Sequence, residues 1–255
     1  YEDFSSFSEQ LFTKIYTEGV ISGNLTESNA KKIWNNIKES LSSTAYPPED
    51  HIKRTVLILQ EKKGPFTMEK SSEMKGNASI LLLQMGSASF DNIATQKILS
   101  SVLRESFFDT LRTKQQTGYI TQSWLEDLDN QLILFFGVHS TTHNPSELLA
   151  RFELFLEDTC RDLETTIPLE RFNALKETQI LAYSKPPNNL QNKVELLYYL
   201  GFEKQGDFFK RQKTIEAFQN LSYEQFIKQA RSGLSRENTR RLASLISGTE
   251  DPQTS

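Results

Sequence analysis

Residues 107–123 read FFDTLRTKQQTGYITQS. Leu99, Val102, Leu103, Phe107 and Leu111 lie at helical spacing, which predicts a helix from Asp91 to about Thr113 ending in LRTK. The polar turn QQTG follows, and GYITQSWL opens a strand, so Arg112 and Tyr119 project from adjacent ends of two elements. LILFFGV supplies a second strand, joined to the first through EDLDN as an antiparallel hairpin whose second strand is buried on both faces. A long amphipathic helix running into a hairpin points to an α+β fold.

Upstream, HIKRTVLILQEK, PFTMEK and NASILLLQMG read as strands separated by turns rich in Gly, Lys and Ser. Before them, GVISGNL is β-like, and Thr26 is placed to cap a helix through ESNAKKIWNNIKESL. Phe4, Phe7, Leu11 and Ile15 give residues 2–17 an apolar helical face. Downstream, NPSELLARFELFLEDTCRDL is amphipathic, SYEQ at 222–225 is a capping box, and TRRLASLISG suits a closing strand. The expected organisation is therefore a leading helix at 1–17, one α+β domain of antiparallel sheet and helices at 18–247, and a polar, flexible tail at 248–255. The start at Tyr1, without methionine or a signal-like segment, suits an internal piece of a longer polypeptide.

Composition narrows the function classes. A net charge of -4 with both signs interspersed argues against a phosphate-binding surface, and so against nucleic acid as a partner. No apolar run approaches the roughly 20 residues that span a bilayer, so no membrane is expected. The single cysteine, Cys160, excludes an internal disulfide framework and a thiolate zinc cluster. The N-x-[ST] triplets at Asn24, Asn77 and Asn220 are of a kind that arises by chance.

HSTTH at 139–143 carries two histidines four apart, a spacing that on a helix could grip zinc. However, Asn144, Pro145 and Glu147 mark a helix start, leaving His143 before the cap and His139 at the end of a strand. No third ligand or base is marked nearby, so a structural role is favoured over a metal site. Glu126, Asp127 and Asp129 lack the central glycine and alternating ligands of a calcium loop and read as a solvated hairpin end. Phe107 and Phe108 read as core by their spacing to Leu103 and Leu111. An arginine in a last helical turn and a tyrosine opening a strand also have ordinary roles, with the helix dipole and as an amphipathic plug.

The stretch FFDTLRTKQQTGYITQS resembles the C-terminal half of the insulinase, or pitrilysin, family of zinc metalloendopeptidases, whose last domain carries a similar LRT-x-x-Q-x-GY run. The likeness extends to GVISGNLTESNAKKIW, NASILLLQMG and DFFKRQKTIEAFQNLSYEQFIKQ, and residues 2–17 resemble the end of a preceding domain. Thr117 stands where many relatives carry an apolar residue. The resemblance implies a metalloendopeptidase LuxS/MPP-like domain in a clam of two halves enclosing a peptide chamber. Zinc would sit in the N-terminal half on an H-x-x-E-H motif with a distal glutamate. That motif does not occur in this chain, so no cofactor, metal site or catalytic residue is expected within it. The implied partners are the N-terminal catalytic half and a peptide substrate.

By the same resemblance, Arg112 and Tyr119 reach across the closed chamber and assist at the transition state, while Lys114, Gln115 and Gln116 form a solvated turn. A scaffold subunit of the same fold, without catalysis, is the alternative. A self-sufficient enzyme using His139 and His143 would require zinc bound by the isolated chain. LASLISG looks more like the bacterial pitrilysins, which implies a periplasmic home, with the cytosol as the other option.

Overall fold

The structure is a computed structural model that describes residues 1–41, 43–51, 55–61 and 64–249. In chain order the elements are α1 (Glu2–Leu11), β1 (Lys14–Ile15), α2 (Glu27–Leu41), β2 (Thr44–Ala45), β3 (Phe66–Lys75), β4 (Asn77–Ser87) and α3 (Phe90–Phe107). After a π-helical segment, Phe108–Lys114, come β5 (Ile120–Leu128), β6 (Gln131–Ser140), α4 (Pro145–Arg161), α5 (Leu163–Thr166) and α6 (Leu169–Ser184). The chain closes with α7 (Leu190–Tyr198), α8 (Lys210–Asn220), α9 (Tyr223–Leu234) and β7 (Arg241–Thr249). It divides into two compact units, residues 1–54 with 185–211, and residues 55–184 with 212–255.

In the first unit, β1 and β2 form a parallel pair of two residues each. Thr26 Oγ1 accepts from the backbone N–H of Asn29 (3.2 Å), as a cap for α2 should. The expected strand GVISGNL is irregular. Gly19 lies against the Trp34 indole of α2, where a Cβ would come within 2.8 Å of the ring, so the segment is held by side-chain packing in place of a strand ladder.

The second unit holds a five-stranded sheet in the order β3-β7-β4-β6-β5. The pairs β4–β7, β4–β6 and β5–β6 are antiparallel, whereas β3 and β7 run parallel, so the sheet is mixed where an all-antiparallel one was expected. The exception has a topological cause: Phe66 pairs with Leu242 across nearly the whole domain, and no hairpin turn constrains their direction.

One face of the sheet is packed by α3, α4 and α9. Leu81 and Leu83 of β4 and Leu134 and Phe136 of β6 meet Ile98, Leu99 and Leu103 of α3, Phe152 of α4 and Phe226 of α9, all fully buried. Phe107 sits at the centre of this core, edge-on to Phe136, Phe152 and Phe155 with centroids 5.1–5.3 Å apart. Phe108, read as core alongside it, is exposed instead. One residue farther along the helix is about 100° of rotation, which carries the ring off the buried face.

The helix starts follow local chemistry. Asn144 and Glu147 form a reciprocal capping box on α4, and Ser222 and Gln225 form another on α9. At the hairpin, Asp129 and Asn130 both have positive φ (48° and 67°), so they alone make the two-residue turn. Glu126 and Asp127 belong to β5. TVLILQE at 55–61 is not a strand, and residues 52–54 and 62 of that expected strand lie outside the described residues. Its backbone is instead gripped by the Gln84 amide, which donates to Leu57 O (2.6 Å) and accepts from Leu59 N (2.9 Å). The last strand continues through Gly248 and Thr249, and residues 250–255 lie outside the described residues.

Candidate functional site

The C-terminal turn of α3 widens into the π-helical segment, which carries Arg112. π-turns of this kind recur at functional sites because they displace a side chain from the regular helical register. The return to β5 is tightly made. Gln115 N–H donates to Thr110 O (3.0 Å), and Gln116 takes a left-handed conformation at φ 52°. Thr117, fully buried, bonds Leu111 O through both its N–H (2.9 Å) and its hydroxyl (2.8 Å). A threonine at this position thus supplies a hydrogen bond that an apolar residue could not. Gly118 passes so close to β6 that a Cβ would lie 2.0 Å from the His139 carbonyl oxygen.

This turn brings the two expected site residues into contact. The Arg112 guanidinium lies over the Tyr119 ring, 4.2 Å from its centroid, and donates through Nη1 to the Tyr119 carbonyl. It also lies 5.4 Å from the Phe108 centroid. Tyr119 itself is 81% exposed, so the pair stands at the protein surface with the phenol outward. A guanidinium stacked on an aromatic face keeps its charge while losing rotational freedom.

The turn is less solvated than its sequence suggests. Gln115 Oε1 accepts from Arg151 Nη1 of α4 (2.8 Å), anchoring the loop to a helix 36 residues away in sequence. Only the long-range partner, invisible in a local reading, distinguishes Gln115 from a solvent-facing residue. Lys114 does face water, paired with Asp109 at 2.8 Å.

The histidines are not brought onto a common ligand. His139 Nε2 lies 3.1 Å from Lys75 O, while His143 Nδ1 lies 2.9 Å from Thr142 Oγ1. Among the described residues no group of three or more His, Cys, Asp or Glu side chains is arranged to hold a metal ion. Asn77, one of the glycosylation-like asparagines, donates to His143 O (3.0 Å) and accepts from Gly248 N (3.1 Å), so its amide is occupied in joining strands.

A five-stranded sheet backed by long helices, with an arginine–tyrosine pair at the junction of helix and edge strand, makes an α+β domain whose fold is similar to that of solved M16 peptidase domains. The chain is homologous to the C-terminal regions of insulin-degrading enzyme and pitrilysin. Residues 98–198 match the PQQ synthase PqqF-like, C-terminal lobe domain 4 family. Insulin-degrading enzyme of Drosophila melanogaster is 28% identical over 203 residues, which cover 78% of this chain and 20% of that protein. In fold, the chain is similar to pitrilysin (TM-score 0.75, 18% identity, covering 91% of this chain and 24% of that one). It is also similar to a peptidase M16 inactive domain from Pseudomonas fluorescens (TM-score 0.63, 13% identity, covering 90% and 53%). The chain thus spans about a fifth of the length of the first curated relative it matches.

Proposed function

We propose that this chain is the non-catalytic C-terminal part of a zinc metalloendopeptidase that degrades short peptides in an enclosed chamber. The zinc and the base that activates water belong to a partnering N-terminal half. In this reading Arg112 and Tyr119 act from the opposite wall: the guanidinium and the phenol donate hydrogen bonds to the peptide carbonyl oxygen as negative charge develops on it. Donors aimed at a developing oxyanion stabilise the transition state more than the ground state. Supplying them from a second half makes turnover depend on closure.

The observation that carries the reading is the stacked, surface-exposed Arg112–Tyr119 pair, held by a π-turn, a buried threonine and a glycine that tolerates no side chain. No helix among the described residues is long and apolar enough to cross a membrane. A periplasmic home, carried by the likeness of the closing strand to bacterial pitrilysins, is part of the proposal.

The test is hydrolysis of a quenched fluorescent peptide by the zinc-bearing half, alone and with this chain added. The expected outcome is chain-dependent turnover that falls about 10²–10³-fold in Arg112→Ala, the scale of losing one oxyanion donor, and measurably in Tyr119→Phe. A second reading, a scaffold of the same fold, is favoured by the likeness to a domain described as inactive. Binding of the two halves with turnover indifferent to both substitutions would support that reading.

A further inference from the structure

The sheet ends at β5, and β5 is an unusually open edge. Its nine residues, ITQSWLEDL, contain no proline, lysine or glycine, and they pair with β6 in unbroken register from Ile120↔His139 to Leu128↔Gln131. The opposite edge, β3, carries Lys70 and Lys75 and an irregularity between Ser71 and Lys75, devices that discourage strand addition. On β5 the only charges are Glu126 and Asp127, both in its second half.

Along the unguarded first half, Thr121 to Trp124, runs an open groove of about 800 Å³ whose other wall is Arg104, Glu105, Phe108, Asp109 and Thr113. Beneath it lies Ser123, only 2% exposed, with its Oγ lacking any hydrogen-bond partner among the described residues. A buried hydroxyl without a partner is unfavourable, and a ligand group reaching it would recover that cost. The wall charges are unevenly balanced. Glu105 pairs with Arg171 (3.2 Å) and Asp109 with Lys114 (2.8 Å), while Arg104 has no acidic partner among the described residues. Lys97, one helical face-repeat earlier, has its pKa lowered by burial first and by Arg104 second, with Asp127 acting against them.

We infer that an extended peptide bearing an acidic side chain docks in this groove as an added strand on β5, pairing backbone to backbone with Thr121–Trp124 and placing its carboxylate beside Arg104. A groove between an edge strand and a helix admits one extended chain, which uses main-chain hydrogen bonds for affinity and alternate side chains for selectivity. Four residues of such a strand span about 13 Å and would lead directly past Tyr119. The inference rests on the peptide-chamber reading and deepens it, because it names how the substrate is held and which residue type it prefers.

The test is fluorescence polarisation of this 255-residue chain with a labelled seven-residue peptide of alternating apolar and small residues and one central glutamate. Two comparison peptides are the same sequence N-methylated at alternate amides and the same sequence with lysine for glutamate. N-methylation should weaken binding about tenfold, the scale of losing one or two backbone hydrogen bonds. Arg104→Glu, an exposed change, should weaken the glutamate peptide about fivefold and favour the lysine peptide. Equal binding of the methylated peptide, or no binding of any peptide up to about 1 mM, overturns the strand-addition inference. Sensitivity to methylation without sensitivity to charge overturns the acidic preference. The binding readout needs no zinc half, so it separates from the assisting role. If turnover ignores Arg112→Ala while methylation still weakens binding, the donor role fails and the groove stands.

Discussion

Gly118 shows how a single residue constrains the site. Its φ is not left-handed, so conformational freedom is not what the position needs. The requirement is space, since the His139 carbonyl occupies the place of a Cβ. Gly118→Ala must push β5 away from β6 or bend the turn, and is expected to cost about 1–3 kcal/mol, the range for forcing atoms into a filled site. Urea unfolding measures that loss, and a parallel drop in partner-dependent turnover would show that the displacement reaches Tyr119. Thr117 and Gln115 act in the same direction, one by bonding Leu111 O and the other by accepting from Arg151. The role that the resemblance implies falls on Arg112 and Tyr119, yet their geometry is made by the quieter residues between them.

Among the elements, helix ends and hairpin turn are governed by local hydrogen-bond chemistry. Ser222 and Gln225 exchange side chain to backbone bonds of 3.2 and 3.1 Å at the start of α9, whose Phe226 and Ala230 enter the core. Ser222→Ala removes one acceptor for an otherwise unpaired N–H and should lower stability by about 1 kcal/mol, read from the shift in a denaturation midpoint with unchanged slope. The Asp129–Asn130 turn was legible as a hairpin, but its length was not: five residues, four of them acidic or polar, suggested a longer loop, and strand pairing took up three of the five. β-strands with identical local appeal met different fates for the same reason. NASILLLQMG found neighbours on both sides and became β4, whereas the backbone of TVLILQE is held by the Gln84 side chain and joins no strand, leaving Leu57 78% exposed.

At the scale of the sheet-bearing unit, one buried ion pair joins its far corners. Arg241, 4% exposed at the start of β7, donates to Leu234 O (2.9 Å) and Ser235 O (2.7 Å) at the end of α9 and forms a salt bridge with Glu153 of α4. Removing the cation leaves a carboxylate stranded, so Arg241→Met is expected to cost on the order of 3–5 kcal/mol in equilibrium unfolding. Glu153 has its own pH signature. Burial pushes its carboxyl above the ordinary value and Arg241 pulls it only part of the way back, while Oε1 has no hydrogen-bond partner among the described residues. A raised carboxyl contributes stability that is complete below the unfolded carboxylate pKa and is lost as pH rises through the folded value. Glu153→Gln removes this titration. The stability difference between wild type and variant should therefore move against wild type as pH climbs above the ordinary carboxylate range, about 4, as measured by urea titration at each pH.

The sequence by itself determined the α+β class, the long helices, both capping boxes, the β5–β6 hairpin, the closing strand, and the placing of Arg112 and Tyr119 at adjoining element ends. These depend on periodicity and on hydrogen bonds spanning three or four residues, which a linear reading can see. Only the tertiary structure decided that β3 pairs parallel to β7, that TVLILQE stays out of the sheet, that Arg112 stacks on Tyr119, and that β5 is left as an open edge beside α3. Each of those depends on which surface the rest of the chain delivers to that spot. The partners lie up to 176 residues apart, as with Phe66 and Leu242, so no local pattern records them.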